Sequence, residues 1–279
     1  MGLLPKDTLQ NMNHQPDTYT PLIHLICDFR VESPDYTVAM AKMATEFPQS
    51  RTLITPQPFK KGHILGQSVF LKLVLNEFPE GTVHICRFGT MSRLPNRFVV
   101  AKHQGKFFMG PDSGLFPLYF DDDSIQYFNI TPTENIHIFD PLKEVYIPAL
   151  KQLIEAKMDL STAGFAAKEM MIRSSPPQPT LSNGMMRLTV IYNDYYGNAY
   201  LNINKQTFDE VGQGRPFRLL LNSTMEINRL SRSYNDVPEG MELCMFGHGD
   251  IMQIAVNAGS AAQYLSLNED KPVVLQFKE

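Results

Sequence analysis

The chain has 279 residues, 43% hydrophobic and 19% charged, with a net charge of −4 at neutral pH. That balance excludes a generally disordered polymer and gives no electrostatic reason to expect nucleic acid or an anionic membrane as partner. Its length suits two domains of ordinary size or one large α/β domain.

Residues 1–20 lack the apolar core of a signal peptide, and Lys6 stands where a myristoylation motif needs Ser or Thr. They read as a mobile polar leader. No run is long enough for a transmembrane helix, so a soluble, cytoplasmic protein is expected. Cys27, Cys86 and Cys244 lie far apart in apolar runs with no Cys-x-x-Cys spacing. Buried free thiols in a reducing compartment are the expectation.

The run LIHLIC, residues 22–27, suits a buried strand. After Pro34, the residues Tyr36, Met40, Met43 and Phe47 recur at helical spacing. RTLIT is a strand candidate, HILGQSVFLKLVLNEF an amphipathic helix stopped by Pro79 and Gly81, and TVHICRF a further strand. Strand, helix, strand, helix, strand at this rhythm predicts parallel βαβ units. RFVVAKHQGKFFMGPD then predicts a hairpin turning at His103-Gln104-Gly105, and NIHIFD another strand. PLKEVYIPALKQLIEAKMD reads as a helix opened by Pro141 and kinked at Pro148. Residues 21–172 thus form an α/β domain, Rossmann-like and mainly parallel with flanking helices. Residues 173–184, rich in Pro and Ser, read as a linker. Six short β-type runs in 185–279 predict a smaller all-β barrel or sandwich.

Generic catalytic motifs are missing: there is no Gly-x-Gly-x-x-Gly, P-loop, Gly-x-Ser-x-Gly or His-Glu-x-x-His. His24 and His84 sit inside strand runs and read as hydrogen-bonded histidines rather than metal ligands. Asp121-Asp122-Asp123 reads as a solvated loop, so no metal and no cofactor is expected. Asp28 closes the first strand, where α/β sheets place their ligands, and a carboxylate there can accept hydrogen bonds from both hydroxyls of a ribose. On position alone a turn or helix cap is the better reading. Pro111-Asp112-Ser113-Gly114 and Asp194-Tyr195-Tyr196-Gly197-Asn198 both read locally as turns.

Four stretches in order carry a resemblance: IHLICDFRVESPDYTVAMAK, GKFFMGPDSGLF, VIYNDYYGNAYLNI and IMQIAVNAGSAAQYLSL. From about residue 22 to the C-terminus the chain resembles the S-adenosylmethionine hydroxide adenosyltransferases, relatives of the fluorinase and chlorinase. The resemblance implies an α/β domain, a C-terminal β-barrel, and a homotrimer that binds its nucleoside between one subunit's N-domain and its neighbour's C-domain. It implies that Asp28 holds the ribose, that Asp194 and Asn198 hold the methionine part, and that Asp112 and Ser113 lie close to the substrate. The implied reaction is attack of water at the ribose C5′, giving adenosine and methionine. The sulfonium is already a good leaving group, so the protein has only to align an oxygen nucleophile and remove its proton.

The sequence departs from the family where that chemistry is done. Gly89 stands at the position of the family's catalytic Asp, Pro141 at that of its His, and Arg97 at an Arg position. Arg30 replaces a Gly beside the ribose-binding Asp, and His248-Gly249 stand where Asn-Ser is more frequent. A working hydrolase would need another base, with Asp140, Glu144 or Asp112 as candidates and Arg97 as the orienting cation. The alternatives are a protein that binds the nucleoside without turning it over, or an oligomeric interaction protein.

Overall fold

The computed structural model describes residues 20–57, 59, 62–88, 97–120, 122, 124–132, 138–168, 172, 175–182 and 184–278. Residues 1–19, Gly89, Asp121, Asp123 and residues 135–137 of the strand expected at 135–140 lie outside these residues, and the described remainder of that stretch, 138–140, is not a strand.

The first sheet contains β1 (Ile23–Cys27), β2 (Thr52–Pro56), β3 (Val83–Arg87), β4 (Phe98–His103), β5 (Lys106–Pro111), β6 (Tyr127–Ile130) and β7 (Ala166–Lys168). Their order is β2-β1-β3-β5-β4-β6-β7. The four strands β2, β1, β3 and β5 are parallel neighbours, and β4, β6 and β7 extend the sheet by antiparallel pairing. The β4–β5 connection turns at Gln104 and Gly105, both with positive φ (46° and 72°), as a tight two-residue hairpin requires.

Alternation of side chains buries both faces of this sheet. Ile23, Leu25, Val83, Ile85 and Met109 meet α1 (Pro34–Glu46) and α4 (Ile147–Glu155) on one side. Ile26, Cys86, Val99 and Phe108 meet α2 (Ile64–Val74) and α3 (Leu115–Phe120) on the other. Helix α1 starts at Pro34 behind Ser33, whose hydroxyl accepts the Asp35 N–H at 3.2 Å. Its inward face is Ala39, Met43 and Phe47, while Met40 of the expected stripe is exposed. The spacing was right for a helix, but the small Ala39 takes the place against the sheet.

Before α4 the chain makes one wide π-helical turn, Leu142–Tyr146, in which Ile147 N–H donates to Leu142 C=O. This locates the kink expected at Pro148. A proline has no N–H and its ring presses on the preceding turn, and the wider winding relieves both problems.

The strands of the second domain pair antiparallel, and the isolated bridge between Leu230 and Cys244 is parallel. The domain comprises β8 (Thr180–Ser182), β9 (Met185–Asn193), β10 (Ala199–Asn204), β11 (Phe217–Leu220), β12 (Glu226–Ile227), β13 (Glu242–Phe246), β14 (Ile251–Val256) and β15 (Pro272–Phe277). The main path is β12-β11-β15-β9-β10-β14-β13, with β8 on β9. A bridge from Leu230 to Cys244 on β13 nearly closes it into a barrel around Leu188, Val190, Leu201, Leu219, Ile254 and Leu275. All six expected β-type runs are strands. The helix α5 (Lys205–Gly212), capped by the Asn204 side chain on Thr207 N–H, follows directly on β10 and was not expected. A small apolar cluster joins Leu65, Val69 and Leu73 of α2 to Ile191, Tyr192, Tyr200 and Ile251, packing barrel on sheet.

Candidate functional site

The strand order decides where a ligand would sit. From β1 the chain crosses to β2 on one side, whereas from β3 it continues toward β4 and β5 on the other. Loops leaving the carboxyl ends of β1 and β3 therefore diverge and leave a crevice, which is where open α/β sheets bind ligands. A cleft of about 430 Å³ opens at this point. Phe29 follows β1 into it and Arg87 ends β3 in it, while Lys42 of α1 and Phe139 and Asp140 before α4 form its wall.

The charges in this cleft are organised. The Arg87 guanidinium lies over the Phe29 ring, 5.0 Å from its centroid. Lys42 Nζ donates to Asp140 Oδ2. Asp140 Oδ1 accepts the Leu142 N–H at 3.1 Å, and the Asp140 N–H donates to Glu144 Oε1 at 2.8 Å. Asp140 and Glu144 thus cap the first turn of the helix that carries α4. Burial works against the Asp140 charge, but the hydrogen bond and charge of Lys42, the charge of Arg87 and a backbone N–H outweigh it. The carboxyl is held below the usual range. An anion so stabilised is a weak proton acceptor.

Asp28, directly after β1, is among the lining residues of neither cleft of this region. Its neighbour Phe29 faces the first, and Arg30 faces a second of about 520 Å³ between the domains. Asp194, Tyr192 and Glu269 approach the second cleft from the barrel and Gln57 from β2, with Gln57 Nε2 donating to Tyr192 Oη at 3.3 Å. Next to Asp28, burial pushes the Cys27 thiol up to about 12, which leaves it unreactive. All three cysteines are free and buried.

The Asp112 turn closes β5, one strand further along the same edge. Its side chain is 1% exposed, with Oδ2 2.9 Å from Lys168 Nζ and 3.7 Å from Arg97 Nε, and Oδ1 accepts the Ile172 N–H at 3.2 Å. The two cations give Oδ2 charge contact without well-aimed hydrogens, since it has no hydrogen-bond partner among the described residues. Ser113 N–H donates to Pro111 C=O at 2.9 Å, which forms the tight turn the sequence predicts. The structure therefore joins Arg97 to Asp112, and separately Lys42 to Asp140 and Glu144.

In the barrel hairpin, Asp194 Oδ1 accepts the Asn198 N–H at 2.9 Å and Oδ2 the Asn198 side-chain amide at 2.8 Å. The Tyr200 hydroxyl donates to Oδ2 at 3.4 Å. Gly197 has φ of 80°, and a Cβ on it would come within 2.0 Å of Ser260 Oγ. Asp194 and Asn198 are thereby fixed to each other, on a turn only glycine permits.

The matches to known proteins agree with this architecture. The SAM hydroxide adenosyltransferase N-terminal domain model matches residues 23–164, and the corresponding C-terminal domain model matches residues 188–274. The chain belongs to this family. It is 25% identical over 271 residues to an (R)-S-adenosyl-L-methionine hydrolase of Thermus thermophilus, covering 91% of this chain and 98% of that one. An uncharacterised conserved protein from Thermotoga maritima shares the fold, with a TM-score of 0.77 and 18% identity over 91% of this chain and all of that one. A conserved hypothetical protein from Thermus thermophilus gives a TM-score of 0.69 at 22% identity, over 92% of this chain and all of the other.

Three residues at the sheet's carboxyl edge were not singled out from the sequence: Lys42, Arg87 and Lys168. The strand-end argument that selects Asp28 also selects Arg87, the last residue of β3. Lys42 and Lys168 had no such signal, because their partners Asp140 and Asp112 are 98 and 56 residues away in the chain. His24 and His84 are a buried pair, Nδ1 to Nδ1 at 3.1 Å, with His24 Nε2 2.9 Å from Thr55 Oγ1. Among the described residues no group of three or more His, Cys, Asp and Glu could hold a metal ion. Also among the described residues, no helix is long and apolar enough to cross a membrane.

Proposed function

We propose that this member of the family binds S-adenosylmethionine, or a nucleoside built like it, at the carboxyl edge of the parallel sheet, and that its residues serve binding rather than hydrolysis. The observation that carries this reading is the cleft between the ends of β1 and β3, with Asp28 and Phe29 leaving one strand and Arg87 ending the other. Asp28 would take the ribose hydroxyls, and Ser113 with its turn would lie beside the ligand. Asp194 and Asn198 would take the amino-acid end through its ammonium group, from the same chain or from a neighbour.

Support for binding over turnover comes from the candidate bases. Asp140 is held as a stabilised anion by Lys42, Glu144 is spent on a helix cap, and Asp112 is buried against Lys168. Each is engaged by a cation or by a backbone N–H, whereas a general base needs an unencumbered carboxylate within reach of the nucleophile. We further propose a homotrimeric, cytoplasmic protein. Tyr195, 95% exposed, and Tyr196 at 74% offer aromatic surface for contact between subunits.

Calorimetric titration with S-adenosylmethionine, run beside a chromatographic assay for released adenosine, tests the reading. Binding without adenosine is expected. Adenosine released at enzymatic rates would replace it with hydrolysis, and no binding at all would leave an interaction protein on a family fold.

A further inference from the structure

We propose that Arg87 is the anion-recognising residue of the cleft, receiving a carboxylate or phosphate group carried by the nucleoside. The inference rests on the reading that a nucleoside occupies this crevice, and it adds which chemical group the ligand must bear. Four observations converge on it.

The first is the geometry of the Arg87–Phe29 contact. The guanidinium sits over the ring, with Cζ 5.0 Å from the ring centroid. A cation–ring contact holds the group in place and leaves its N–H donors available for an acceptor. Arg87 is thereby partly ordered, which lowers the entropy lost on gripping a planar anion.

The second concerns the nearby acids. The carboxylate of Asp140 is within electrostatic reach, but one of its oxygens takes the Lys42 ammonium and the other the Leu142 N–H. Asp35, the other acid in the lining, accepts the Ser33 hydroxyl at 3.3 Å at the start of α1. Among the described residues, neither forms an ion pair with Arg87. A half-buried cation beside an apolar ring, with its neighbours already engaged, is stabilised by an incoming anion.

The third is space. A cleft of about 430 Å³ falls in the range of sites that take a nucleoside-sized molecule. The fourth is Phe139 at its lip, 95% exposed, an aromatic face that water does not favour and a nucleobase can cover.

The experiment compares paired ligands on the full chain. Titration calorimetry is run with S-adenosylmethionine against its decarboxylated analogue, and with adenosine 5′-monophosphate against adenosine, for the unaltered protein and Arg87→Gln. The variant is expected to bind the anion-bearing member of each pair roughly 10- to 100-fold more weakly, and the anion-free member within twofold of the unaltered protein. Equal losses on both members of each pair, or no loss on either, overturn the proposal. Where Arg87→Gln does not fold by circular dichroism, Arg87→Lys carries the test, with a smaller loss confined to the same two ligands.

The arms separate this proposal from the reading beneath it. If the unaltered chain binds adenosine 5′-monophosphate but neither sulfonium compound, the S-adenosylmethionine reading fails and the Arg87 proposal stands or falls on the monophosphate pair. If none of the four binds, both fall.

Discussion

The buried histidine pair makes the fold sensitive to mild acid. His24 and His84 are 1% and 0% exposed, face each other through their Nδ1 atoms, and are wedged between Phe78 and Phe108. Burial depresses His24 to about 4. Burial, with the charges of His24 and Lys106, depresses His84 to about 3. Both folded values lie below the ordinary histidine value near 6.5, so the unfolded chain binds more protons below that pH and stability falls as pH falls. The loss begins near pH 6.5 and continues down to the folded values. Between pH 7.5 and 5.5 the folded protein keeps both rings neutral, so the loss is set by the unfolded chain alone. Each ring then contributes about 1.4 kcal/mol, and the pair about 3 kcal/mol. Urea unfolding at the two pH values and constant ionic strength measures this difference directly. The control is His24→Phe/His84→Phe, which keeps the aromatic packing and removes both titrating groups. A decrease in the unaltered chain no larger than in this double variant would refute the reasoning.

Two further outcomes are expected. Asp28→Ala should weaken nucleoside binding roughly 10- to 100-fold, the loss that accompanies removal of charge-assisted hydrogen bonds; unchanged affinity in the calorimeter would remove Asp28 from the ribose role. Gly197→Ala should cost at least about 2 kcal/mol, because alanine is strained at φ of 80° and its Cβ would collide with Ser260 Oγ. Ser260 cannot readily move aside, since the same oxygen caps α6 (Ala261–Tyr264) by accepting the Gln263 N–H. An unshifted melting temperature would contradict that account.

Much of the framework was legible in the chain. The βαβ rhythm is local, because β1 and β3 are short, near-continuous apolar runs and apolar residues recur every three or four in α1, and such patterns survive in a linear reading. The hairpin at Gln104-Gly105 and the turn at Asp112-Ser113 were also readable, since backbone freedom there belongs to the residues themselves. Helix α5 escaped because its capping residue, Asn204, also ends a strand. The resemblance identified the family from motifs spread along the chain, and both domain models match it.

The sequence by itself determined β1 to β5, six strands of the barrel, the two-domain plan and the residues at the strand ends, but not β6, β7 and β12, nor β8, which lies within the stretch read as a linker. Only the tertiary structure decided what those residues are doing. Asp112 and Asp140 look alike in the sequence as candidate bases. In the fold Asp112 is buried against Lys168 and beside Arg97, while Asp140 caps a helix and pairs with Lys42. Arg87 looks like a charge at the end of an apolar run, and it proves to be a cation at the crevice between β1 and β3, with its guanidinium over the Phe29 ring. The reason is the range of the forces involved. Backbone preference and hydrophobic period act between near neighbours in the chain, whereas the character of a carboxylate or guanidinium is set by charges and burial within a few ångströms in space. Those neighbours come from segments that the chain's order keeps far apart.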